Sequence, residues 1–144
     1  MTSLNLDRSN VLGWICGVSL FVATVGCDGV ALLPVKGRVV FSDGEPVRTG
    51  RIEYNASGSP HRAMGVIDDT GYFELMTADG EKGLPAGEYD VIVVQLVITE
   101  DLSLADHDHG RAVPIKYADY TTSDLKALVS DGNAEEQQII VESK

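Results

Sequence analysis

The sequence predicts an all-β domain, and three observations carry that reading. Apolar and polar residues alternate with a period of two in several short runs. Turn-forming clusters such as Ser42-Asp43-Gly44-Glu45-Pro46 and Asp68-Asp69-Thr70-Gly71 separate the runs at intervals of about 8 to 15 residues, the rhythm of a β-sandwich. No segment after the N-terminal apolar stretch has helical periodicity.

The first strand is predicted over 35–41, with Val35, Gly37, Val39 and Phe41 on one face and Lys36 and Arg38 on the other. The turn after it needs Gly44 for its positive φ, and Pro46 stops the strand from continuing. Residues 51–54 alternate again and point Ile52 and Tyr54 inward; a loop over 55–60 leads to a weaker strand over 62–67. Gly71 closes the next tight turn, and residues 72–76 follow with Phe73 and Leu75 on one side. A loop over 78–86 precedes the strongest strand, 87–97, where Gly87 is expected to allow close packing at the entry. Its centre, Tyr89-Asp90-Val91-Ile92-Val93-Val94, becomes apolar on both faces, as in an interior strand. Residues 99–111 read as an exposed polar excursion. The last strands are predicted over 125–129 and 138–141, either side of Asp131-Gly132-Asn133.

Length and charge narrow the classes of function. A chain of 144 residues suits one domain. Its 22 Asp and Glu against 11 Lys and Arg leave a net charge of -11, with no basic run to attract phosphate backbones, which argues against nucleic-acid binding. Both cysteines, Cys16 and Cys27, lie in or at the edge of the first apolar segment. No disulfide, thiol nucleophile or Cys-based zinc site is therefore expected in the β domain.

That segment, 11–25, is 15 residues long, the length of a signal-peptide apolar core and short of the roughly 20 residues of a membrane-spanning helix. It ends in Thr24-Val25-Gly26-Cys27, which resembles the bacterial lipobox; Thr24 departs from the usual aliphatic residue, whereas Gly26 fits. The resemblance implies cleavage before Cys27 and lipid attachment to it. An uncleaved anchor, or ordinary cleavage leaving Cys27 as a free thiol, are the alternatives. The expected division is a signal helix over 1–26, a tether over 27–34 and the β domain over 35–144. The product is then expected to be exported across the inner membrane and held by its lipid at the envelope, facing the periplasm or the cell surface, with Asp28 in the position associated with inner-membrane retention.

Three motif sets resemble a known group. Val35-Lys36-Gly37-Arg38-Val39-Val40-Phe41 with Asp43-Gly44-Glu45-Pro46-Val47 is similar to the opening of carboxypeptidase regulatory-like domains. Asp69-Thr70-Gly71-Tyr72-Phe73-Glu74-Leu75 and Leu84-Pro85-Ala86-Gly87-Glu88-Tyr89-Asp90-Val91 are similar to that family's next hairpin and strand. Val113-Pro114-Ile115-Lys116-Tyr117, followed by Thr122-Ser123-Asp124-Leu125, resembles a segment of small planctomycete-type lipoproteins. The resemblance implies a transthyretin-like sandwich of about seven strands in two sheets, and little about activity. Within the third motif, the Tyr117 ring is expected to pack on a sheet edge while the hydroxyls bond loop backbone groups.

Candidate chemistry is sparse. Asp106-His107-Asp108-His109 places two imidazoles on one side of an extended chain. His107 and His109 are accordingly the candidate metal ligands, against a plain reading as a solvated loop. Asp68-Asp69 and Glu135-Glu136 lack the spacing of a calcium loop and read as turn and surface acids; His61 reads as an exposed loop residue. No nucleophile elbow, phosphate-cradling glycine loop or paired carboxylates stand out, so no cofactor and no catalysis are expected. The sequence therefore points to a tethered, non-catalytic structural or binding module of the envelope, with a protein or polysaccharide as partner. Small-ligand or metal binding through the 106–109 loop is the alternative, and hydrolysis, by fold analogy alone, comes third.

Overall fold

The computed structural model describes residues 30–95 and 110–143. Eight strands lie among them, in two sheets: β1 (Lys36–Phe41), β2 (Gly50–Asn55), β3 (Arg62–Ile67), β4 (Tyr72–Glu74), β5 (Met76–Thr77), β6 (Gly87–Val94), β7 (Lys126–Val129) and β8 (Gln137–Val141). The smaller sheet has the order β4-β1-β8, with β1 antiparallel to β4 and parallel to β8. The larger has the order β5-β3-β2-β6-β7 and is antiparallel throughout. The fold is all-β. Its helical content among the described residues is two single 3-10 turns, Ile115–Ala118 and Ala134–Glu136.

Period-two alternation explains how the sheets share an interior. Val39, Phe41, Phe73, Ile139 and Val141 from the small sheet join Ile52, Tyr54, Tyr89, Val91 and Val93 from the large one in a single buried cluster. The strands over 62–67 and the start at Gly87 match the expectation. The predicted single strand over 72–76 is instead two. β4 pairs with β1 and β5 with β3, and the change of partner falls at buried Leu75, whose N–H donates to Val35 O at 2.9 Å and whose carbonyl accepts from Gly83 at 3.0 Å. Alternation continues through this corner, and only the pairing changes. Gly87 also differs from expectation, since a Cβ there would meet nothing closer than 3.8 Å. The close approach belongs to Gly37, packed against the backbone of Gln137.

Three tyrosines enter the core, and their hydroxyls fare differently. Tyr89 donates to Pro85 O at 2.9 Å, and Tyr117 accepts from the Glu142 N–H at 3.0 Å. The Tyr54 hydroxyl has no hydrogen-bond partner among the described residues, although the side chain is fully buried between the rings of Phe73 and Tyr89. Burial pushes its ionisation well above the ordinary tyrosine range, so it stays neutral. A buried hydroxyl without a partner carries its desolvation cost and no return. Tyr54→Phe is therefore expected to stabilise the domain by about 1 kcal/mol, read as a rise in the urea midpoint. A fall of similar size would show that the hydroxyl is engaged.

Candidate functional site

The outer face of the large sheet, its covering segment and the two ends of the strands hold the polar chemistry of the described residues. β6 pairs with β7 only from Gly87 to Asp90, so its later residues need another neighbour. Residues 115–125 take that place. Val91 N–H donates to Leu125 O at 3.1 Å, and the Ser123 hydroxyl donates to Val91 O at 2.6 Å. Asp119 shapes the bend by accepting from the Thr121 N–H and hydroxyl, each at 2.7 Å, and the Thr122 hydroxyl donates to Lys116 O at 2.6 Å. Tyr117 projects inward from this clip and is buried in the core rather than laid on an edge, with the Lys116 ammonium 4.5 Å from its ring centroid. The third motif thus closes an open strand edge.

Tyr120, from the same clip, covers the outer face. Its hydroxyl donates to Glu53 Oε1 at 2.7 Å, and the Arg62 guanidinium pairs with the same oxygen. Glu53 stands in the middle of β2, opposite Ile92 and Met64, and its side chain is only 9% exposed. Burial alone would raise its carboxyl. The hydrogen bonds from Arg62 and Tyr120, with the charges of Arg62 and Arg51, outweigh that and hold it below the usual carboxylate range. The same carboxylate, with burial first, pushes the Tyr120 hydroxyl up. A carboxylate made less basic and a phenol kept protonated are poorly suited as base and nucleophile at neutral pH.

A pH dependence follows. The ionised form of Glu53 is favoured in the folded state, so its stabilisation is complete above the unfolded carboxyl's range and drains away as pH falls through the lowered folded value. Because Arg62 is more than half exposed, solvent screening limits the pair to about 1 kcal/mol. Glu53→Gln is expected to be about that much less stable than the parent at pH 7 and level with it near pH 3. A gap that stays constant across the range would contradict this assignment.

Next to this cluster, Asp90 accepts from the Ser57 hydroxyl and pairs with Lys126 beside a 620 Å³ groove that Tyr89 and Leu128 also line. The Lys126 and Ser57 hydrogen bonds hold Asp90 below the usual range. The larger sheet's β7 edge is capped by side-chain amides: Asn133 Nδ2 and Gln137 Nε2 donate to Leu128 O at 2.9 and 3.2 Å.

At the end of the strands marked by Phe41, Ile67 and Val94, Arg111 pairs with Asp43 at 2.8 Å and Glu45 at 2.7 Å and lies 4.7 Å from the Phe41 ring centroid. Contrary to the reading of 99–111 as an exposed excursion, Arg111 docks on the first turn. Gln95 Oε1 accepts from the Val113 N–H at 2.9 Å, so the chain on either side of 96–109 is stapled at one place. The candidate ligands His107 and His109, with Asp106 and Asp108, lie outside the described residues, as do Cys27 and the signal segment. Among the described residues no three His, Cys, Asp or Glu side chains converge as a metal-ligand group. Asp68 is a turn residue, accepting from Thr70 N–H, Thr70 hydroxyl and Tyr72 N–H at 2.8 to 3.0 Å. Glu135 and Glu136 sit exposed on a 3-10 turn, and His61 is half-buried rather than exposed.

Compared with known protein families, with curated proteins and with solved structures, the chain matches none.

Proposed function

We propose that this chain is a lipid-anchored extracytoplasmic lipoprotein whose transthyretin-like sandwich serves the cell envelope as a non-catalytic structural or binding module. The observation that carries the reading is a separation of ends. The chain enters the domain at Leu33, beside Leu84 and below the start of β6, whereas the stapled base of 96–109 lies past the end of β6. Eight residues of β6 put about 26 Å between those places. A domain held at one end leaves the turns at the other, 42–44 and 69–71 with Arg111 docked beside them, open to an envelope protein or polysaccharide.

Two further facts support it. The two sheets share one core, as a sandwich requires. The polar clusters at Glu53, Asp90 and Arg111 are each engaged by neighbouring side chains, which favours scaffold over catalyst. The test is processing in a bacterial host. The parent is expected in the membrane fraction, with a precursor accumulating under globomycin, and Cys27→Ser is expected to remain as unprocessed precursor. Globomycin-insensitive maturation of both chains would refute the lipoprotein reading.

A further inference from the structure

We infer that the groove at the chain-entry end rests against the surface of the bilayer that carries the Cys27 anchor, with zwitterionic headgroups as its ligand. The inference rests on the tethering reading above and adds which face meets the lipid. Leu33 is locked in place: its N–H donates to Leu84 O at 2.8 Å, and the Leu84 N–H returns the bond at 3.0 Å. Gly83, at φ +92°, lies so close beneath that a Cβ would stand 1.8 Å from Leu33 O. The domain therefore begins at Leu33, and only residues 28–32 separate it from Cys27. Fully extended, that strap reaches about 20 Å, less than the length of β6. It brings the near end to the headgroups and cannot deliver the far end there first.

The near end has the surface for such contact. A 630 Å³ groove is lined there by Val30, Leu32, Pro60, His61, Ala78 and Leu84. Val30, within the strap itself, is 60% exposed, an apolar side chain on the groove's wall. Arg62, Asp79 and Glu81 also line the groove; Arg62 is paired with Glu53, which leaves the carboxylates of Asp79 and Glu81 to suit the ammonium group of a zwitterionic lipid and repel an anionic one. Attachment holds the groove at high local concentration over the headgroups, so weak contacts suffice.

The experiment uses full-length protein, matured in a bacterial host and purified with its lipid, after mass measurement of the acylated Cys27. No cysteine follows Cys27, so Ala78→Cys and Asp69→Cys each supply one labelling site, in the groove and at the far turn. The labelled proteins are reconstituted in phosphatidylcholine vesicles doped with nitroxide-headgroup lipid. Quenching at position 78 is expected to exceed that at 69 by about threefold or more, because nitroxides act at contact range and the sites differ by a strand length. A roughly 15-residue Gly/Ser insertion after Gly29 is expected to level the two. Equal or reversed quenching in acylated protein overturns this inference alone, and so does a signal that grows with protein density, which marks self-association. Undiminished quenching on half-phosphatidylglycerol vesicles overturns the headgroup assignment. An unacylated Cys27 overturns the tethering reading itself.

Discussion

Gly37→Ala is expected to cost at least about 3 kcal/mol of stability, the largest effect of any single added methyl group in the strands. A Cβ at Gly37 would lie 2.0 Å from Gln137 O and 2.7 Å from Gln137 C, both backbone atoms that no rotamer change can move. Relief requires β8 to shift against β1, along which it is paired in parallel from Gln137 to Val141. β8 contributes Ile139 and Val141 to the core, and Gln137 is buried with its amide donating to Leu128 O and Asn133 O. One methyl group thus disturbs pairing, packing and the cap on β7 together. Gly132→Ala is the control, because nothing lies within 4 Å of a Cβ there, and its effect is expected within about 0.5 kcal/mol. Urea denaturation of both variants against the parent measures the difference, and equal midpoints would contradict the close approach.

Tyr117→Ala is expected to cost about 3 to 5 kcal/mol, in the range for deleting a buried aromatic ring. Tyr117 is the side chain by which the 115–125 clip enters the core, and it is 1% exposed. Its loss opens a cavity and frees the segment that completes the edge of β6 beyond Asp90. Tyr117→Phe keeps the ring and removes only the oxygen that accepts the Glu142 N–H, so about 1 kcal/mol is expected. The contrast separates packing from hydrogen bonding. If the two variants lose similar amounts in thermal or urea unfolding, the ring is not the anchor described.

The strands were largely legible in the sequence because a half-buried strand writes its two faces into alternate residues. Val39 and Phe41, Ala63 and Ile67, and Ile139 and Val141 all turn inward as the pattern requires. Partner choice is not written that way. The alternation across Tyr72, Phe73, Glu74 and Leu75 is the same whether the strand stays in one sheet or changes sheets, so the corner at Leu75 left no signal. The Glu53–Arg62–Tyr120 cluster was missed for a related reason. Tyr120 is 67 residues from Glu53, and Arg62 reaches it diagonally, opposite Asn55 rather than Glu53 itself. An acid at an outward position of a strand otherwise rich in buried residues, with Arg51 and Arg62 near it in sequence, was the available clue.

Gln137 and Gly37 show the same limit. A polar residue at the head of a strand reads as solvated until the carbonyls it caps are located, and a glycine in an alternating run reads as a neutral filler until its cross-strand neighbour is known. Local pattern records the face a residue occupies, while contacts between distant segments decide what it does there.

The central claim, a β domain mounted on the membrane by Cys27, is tested most directly by the mass of the N-terminal peptide of protein extracted from bacterial membranes. The expected peptide begins at Cys27 and carries a diacylglycerol on its sulfur. A peptide that retains residues 1–26, or one that begins at Cys27 with a free thiol, would contradict the claim.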